Sequence, residues 1–221
     1  MQPHHHLAVL LLLILLILLS PYSVAQEKLT QQSLDDRVKE FLQDQRSRWS
    51  DMNIPWGDGQ FLHDLIVQKR YTRALEIGTS TGHSAIWIAW AMSKTGGRLT
   101  TIEIDEERHR EALENFAKAG VSEFIDARLA DAHDLIRELN GPFDFVFSDA
   151  DKDWNKQYFI DLAPKMSTGG CYTTHNISMR NGEFRGNTRD YLDYLESQPD
   201  FETTVENSRS SGIAVSYRRA K

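Results

Sequence analysis

The chain has 221 residues, 40% hydrophobic and 26% charged, a balance that fits one globular domain and excludes a disordered or low-complexity protein. Its formal net charge is -7 with the lysines and arginines scattered, which excludes the basic stripe that nucleic-acid phosphates require. Cys171 is the single cysteine, so an intrachain disulfide is excluded as well.

The first feature along the chain is an unbroken apolar run over 7–19, followed by Ser20, Pro21, Ser23, Val24, Ala25 and Gln26. A bilayer span needs roughly 20 apolar residues, so this run is short for one. The small residues Ser23 and Ala25 fit a signal-peptidase site with cleavage before Gln26. Residues 1–25 are therefore expected to be a signal peptide, and 26–221 a single domain that is secreted or periplasmic. Histidines at 4–6 stand where lysine or arginine is usual, which keeps a membrane-anchored form open.

Ser33 is placed to cap a helix carrying Leu34, Val38, Phe41 and Leu42 at helical spacing, with Asp35 and Asp36 in its first turn. Phe61, Leu62, Leu65 and Ile66 predict a second helix after a turn-rich patch. Short apolar runs then alternate with amphipathic ones: a strand over 74–77, a helix over 84–93, a strand over 99–104, and a helix over 106–119 closed by Gly120. Next come a strand over 124–130, a short helix over 134–139, a strand over 143–147, a helix over 154–166 ended by Gly169 and Gly170, and a strand over 171–174. A helix over 188–197 precedes FETTVE and IAVSYR, two strands suited to antiparallel pairing. This alternation predicts an α/β fold: a doubly wound, mainly parallel seven-stranded sheet with an antiparallel C-terminal strand pair. The carboxyl ends of parallel strands collect on one edge, where ligands bind at the switch point of strand order.

Three stretches fall on that edge. LEIGTSTGHSA (75–85) sets Gly78 and Gly82 between a strand and a helix, where the backbone turns tightly and approaches a ligand. Its spacing is not the G-x-G-x-x-G of a dinucleotide cradle, which counts against a nicotinamide-dependent oxidoreductase. Glu76 is placed to accept from an ammonium group, and Glu103, ending the next strand, from ribose hydroxyls. FDFVFSDADKDW (143–154) then drops from a buried run into Asp149, Asp151, Lys152 and Asp153.

These stretches, with DGQFLHDL (58–65), KAGV (118–121) and SGIAVSYRR (211–219), resemble the small cation-dependent S-adenosylmethionine O-methyltransferases of the caffeoyl-CoA and catechol type. The resemblance implies a Rossmann-like fold and S-adenosyl-L-methionine as methyl donor. It implies Ile54, Glu76, Gly78 and Ser84 at the amino-acid end of the cofactor, Glu103 at the ribose, Ile104, Ala132 and His133 beside the adenine, and Asp151 facing the cofactor. It further implies a divalent cation on Asp149, His175 and Asn176, with Asp149 and Lys152 catalytic and a small phenolic or catechol hydroxyl as acceptor. The family is commonly dimeric, so a homodimer is expected, and membrane contact only where the N-terminal segment is uncleaved.

One position departs from the family. His175 stands where an aspartate binds the cation. Either its ring nitrogen ligates, shifting preference from Mg²⁺ toward Mn²⁺, Fe²⁺ or Zn²⁺, or cation binding is weakened or lost. The second alternative leaves a cofactor-binding protein without metal-dependent turnover. Asp153 is expected to be solvated or to cap a helix, Trp87 and Trp90 to pack in the core, and the segment 177–186, with Asn181 and Gly182, to set acceptor specificity.

Overall fold

The computed structural model describes residues 21–49, 52–177, 179–180, 183–184, 188–206 and 212–220. The apolar run over 7–19 lies outside them. No helix among the described residues is long and apolar enough to cross a membrane.

β1 (Arg73–Ile77), β2 (Arg98–Glu103), β3 (Ile125–Leu129), β4 (Phe143–Ser148) and β5 (Met166–His175) are parallel, in the spatial order β3-β2-β1-β4-β5. β9 (Ile213–Arg218) pairs antiparallel with β5, and β8 (Phe201–Glu206) antiparallel with β9, completing seven strands. The strand order reverses between β1 and β4, which opens a crevice above their carboxyl ends. Two residues each, Met179–Arg180 (β6) and Glu183–Phe184 (β7), form a small separate hairpin.

Period-two alternation along the central strands sorts the core into two layers. Ala74, Phe145, Phe147, Cys171 and Val215 face one side, with α1 (Pro21–Gln45), α2 (Trp56–Lys69), α3 (His83–Thr95) and α4 (Glu106–Ala119). Leu75, Ile77, Val146, Tyr172 and Ala214 face the other, with α5 (Ala132–Glu138), α6 (Asn155–Leu162) and α7 (Thr188–Glu196). Trp87 and Trp90 are buried in the first layer, as expected, and Trp87 leaves room only for a glycine at position 59. A side chain of this size contributes about 1.5–3 kcal/mol when fully buried, so the two layers hold most of the stabilisation.

Local signals explain most boundaries. Asp105 accepts from the Arg108 N–H at 2.9 Å and starts α4; Gly120, left-handed at φ 83°, ends it. Asp131 caps α5 by accepting from His133 N–H, which starts that helix earlier than the predicted 134. Three expectations fail. Ser33 does not begin a helix: α1 already runs from Pro21, and the Ser33 hydroxyl donates back to the Thr30 carbonyl. The helix expected over 154–166 ends at Leu162, because Pro164 admits only a short 3₁₀ turn. Gly169 and Gly170 are therefore not its terminator but lie within β5, beside a register shift against β4.

Candidate functional site

The crevice at the switch point is a cleft of about 560 Å³. Its walls bring together Gly78 after β1, Glu103 and Ile104 after β2, Ala132 and His133 at the start of α5, Asp149, Asp151 and Lys152 after β4, and His175 and Asn176 after β5. Ile54, Glu76 and Ser84 are buried behind this surface rather than on it. Ser80, Asp131 and Tyr158 also line the cleft. No motif spacing marked them; they arrive through the loop turns and the face of α6.

The loop after β1 is shaped by backbone geometry. Gly78, Ser80 and Gly82 all have positive φ, at 95°, 50° and 98°. Gly78 and Thr79 both donate backbone N–H to the Ile102 carbonyl, tying the loop across β2. The turn presents Ser80 N–H to Glu103 Oε2 at 2.7 Å, while Ile104 and Asp105 N–H donate to Oε1 at 3.1 and 3.0 Å. Three backbone donors thus fix one carboxylate at the floor of the cleft with lone pairs left for hydroxyl donors. Ile104 itself is 67% exposed, an apolar shelf at the rim.

Glu76 is fully buried one residue inside the end of β1. Thr101 Oγ1 donates to its Oε2, but Oε1 has no hydrogen-bond partner; Ser84 stands near it without an aligned bond. Burial, reinforced by the charges of Asp149 and Glu103, outweighs these hydroxyls and pushes its carboxyl up to about 8. The folded state then holds a proton that the unfolded chain has released above the ordinary value of 4.5. Stability from this group is complete below that value and is lost as pH rises toward 8. In ligand-free thermal melts, Glu76→Gln should gain on wild type by roughly 10 °C between pH 5 and pH 8, at about 1.4 kcal/mol per pH unit and about 2–4 °C per kcal/mol for a chain of this size. A difference that does not change with pH would show that Glu76 is ionised in the free protein.

Ile54 is positioned by His83. The ring donates from Nδ1 to the Ile54 carbonyl at 2.9 Å and accepts at Nε2 from Trp87 Nε1 at 3.2 Å, while Trp49 stacks on it at 4.7 Å. Burial lowers His83 to about 4, so the ring is neutral, as these partners require. At the other end of the cleft, His133 stacks on Trp154 at 3.8 Å. Trp154 thereby supports a wall residue and is not itself on the cleft surface. Asp151, not Asp153, is the capping acid here: its Oδ1 accepts from Asp153 N–H.

The charged cluster is closed on itself. Lys152 Nζ bonds Asp149 Oδ1; His175 Nδ1 lies 3.1 Å from Asp149 Oδ2; His175 Nε2 donates to Asp58 Oδ2 at 2.9 Å. Asp58, from the first turn of α2, is fully buried. Burial by itself would push Asp149 up, but His175 and then Lys152 hold it below the usual carboxylate range. The three groups expected to hold a divalent cation thus do reach one place, yet they do not fit one. Both Asp149 oxygens already face cations, and both ring nitrogens of His175 face carboxylates. Among the described residues no group of three or more His, Cys, Asp or Glu is arranged to hold a metal ion. Asp58 opens DGQFLHDL, a stretch that carries the resemblance, but no site role was attached to it because its partner lies far along the chain. Asn181 and Gly182 lie outside the described residues.

Residues 25–188 match a family model described as O-methyltransferase. Over 136 residues the chain is 35% identical to the catechol O-methyltransferase of Niastella koreensis, covering 60% of this chain and 61% of that one. It is 33% identical over 127 residues to caffeoyl-CoA O-methyltransferase 1 of Eucalyptus globulus, covering 55% and 51%. The chain therefore spans only about half to three fifths of the curated relatives it matches. The O-methyltransferase from Bacillus cereus, solved in complex with SAH, superposes with a TM-score of 0.72 at 25% identity, covering 83% of this chain and 91% of that one. A motif series in order, a seven-stranded sheet with its reversal at β1 and β4, and a family match over most of the length all agree: the chain belongs to the O-methyltransferase family.

Proposed function

We propose that the protein is an S-adenosylmethionine-dependent O-methyltransferase acting on a small phenolic or catechol-like hydroxyl. The observation that carries the reading is the convergence of the Gly78 loop and Glu103 on one cleft, with the Glu76 carboxyl buried directly behind it. The cofactor fits what these residues offer. Glu76 Oε1 is buried without a partner, suited to an ammonium group; Glu103 is pre-set for paired hydroxyls; Gly78 passes so close to the Asp149 carbonyl that only hydrogen fits there. When bound, the cofactor supplies a methyl on a sulfonium, and transfer breaks the carbon–sulfur bond as a carbon–oxygen bond forms, leaving neutral sulfur and a proton from the hydroxyl.

The chain's own residues position and deprotonate. Asp149 and His175 border the space where an acceptor meets the donor end of the cleft, and Lys152, half-exposed at the mouth and paired with Asp149, assists the departure of the hydroxyl proton to solvent by stabilising the charge left on the oxygen. Orientation supplies most of the acceleration because the methyl is already activated. Phenolic acceptors are supported by the likeness to a catechol O-methyltransferase. Calorimetric titration tests the reading: S-adenosylmethionine should bind saturably and NAD should not. Binding of NAD, or of neither, would sink it.

A further inference from the structure

His175 is held from two sides. Asp58 comes from α2 and Asp149 from the end of β4, and the ring between them is 4% exposed at its side chain. Its Nε2–H is spent on Asp58 beneath. Its Nδ1 is ion-paired with Asp149 Oδ2 at 3.1 Å but off the line of a hydrogen bond, so this N–H is buried beside the cleft with its hydrogen-bond line still open. A cation placed against Asp149 would meet Lys152 on one oxygen and the ring on the other.

Charge accounting points the same way. Exchanging a carboxylate for a ring that donates from both nitrogens changes the local charge by two, which is the charge a divalent cation brings. Asp58 and Asp149 against His175 and Lys152 then balance with nothing added.

We propose, resting on the O-methyltransferase reading, that this site works without a divalent cation: the His175 ring, braced by Asp58, stands where the cation would and offers its Nδ1–H to the acceptor oxygen. A metal grips two adjacent hydroxyls, whereas one N–H grips one oxygen. The acceptor class is therefore a hydroxyl that need not belong to a vicinal pair.

The test uses the full-length protein and MnCl₂ and MgCl₂ as probes. By calorimetry and Mn²⁺ paramagnetic resonance, wild type should show no binding that depends on Asp149. His175→Asp should gain at least about tenfold in affinity, since it restores an oxygen ligand set. Should three crowded carboxylates prevent that variant from folding, Asp58→Asn/His175→Asp asks the same question with one fewer charge. Methyl transfer should persist in excess chelator, with a catechol and a monohydroxylic phenol turned over within about threefold of each other, because neither needs chelation. Mn²⁺ bound by wild type and lost in Asp149→Asn, or turnover abolished by chelator and restored by metal, overturns the proposal. Failure of S-adenosylmethionine to bind at all would instead strike the functional reading, since the metal titrations read independently of it.

Discussion

Glu103→Gln is expected to weaken S-adenosylmethionine binding by about a hundredfold, close to 2.7 kcal/mol. The carboxylate receives Ser80, Ile104 and Asp105 N–H groups, and every one of these bonds is charge-assisted. A carboxamide keeps one acceptor oxygen and turns an NH₂ toward donors that it can only repel. The loop carrying Ser80 then loses its anchor, and two sugar hydroxyls lose a common acceptor. Part of the loss should appear in the free protein as a lower melting temperature, because the bonds to backbone exist before any ligand arrives. Calorimetry of wild type and variant checks the affinity. A change smaller than about threefold would mean that the ribose is held elsewhere, since removing a partner from a buried charged network costs more than that.

Gly78→Ala should be strongly destabilising. A Cβ at this position would lie 2.5 Å from the Asp149 carbonyl oxygen, and that atom is backbone at the end of β4. The residue also has φ +95°, a conformation costing an L side chain roughly 1–2 kcal/mol. Relief requires prising β1 from β4 at the point where Asp149 N–H donates to the Ile77 carbonyl. We expect about 3 kcal/mol of destabilisation and a melting temperature lower by roughly 6–12 °C. Gly96→Ala provides the comparison: its φ of +74° is similar, but nothing lies within 4 Å. It should cost about 1 kcal/mol, the backbone penalty without the clash. Equal losses for the two variants would show that the close approach is unimportant.

The fold was legible where local signals and tertiary needs agree. The helix over 106–119 was read to the residue because Asp105 and Gly120 are a cap and a left-handed stop that act within one turn. Misreadings came where a longer-range partner overrode a local rule. Ser33 has the chemistry of a cap, yet α1 begins upstream of it: Leu34, Val38, Phe41 and Leu42 after that point pack on α3 and α4, while before it Gln31 reaches across to the Ser93 hydroxyl of α3. Gly169 and Gly170 look like a helix terminator, yet β4 recruits them into a bulged strand. In the site, the motif stretches were found, but the roles of some residues within them were not. Ser80 acts through its backbone N–H, which no sequence pattern marks, and Asp58 lies 117 positions from the His175 that it braces. A charge partner so remote becomes visible only once α2 is folded against the sheet.

β5, the strand that delivers His175, is flanked on its outer side by β9, with His175 opposite Ile213 and the Ile177 N–H donating to the Gly212 carbonyl. Those partners are made more than thirty residues later on the ribosome. The half of the sheet that would grip a nucleoside is complete by residue 148, so a nascent chain can assemble it first. The reactive corner waits for the final strand to dock, which makes holding a cofactor and being able to spend it two separate moments in the birth of the molecule.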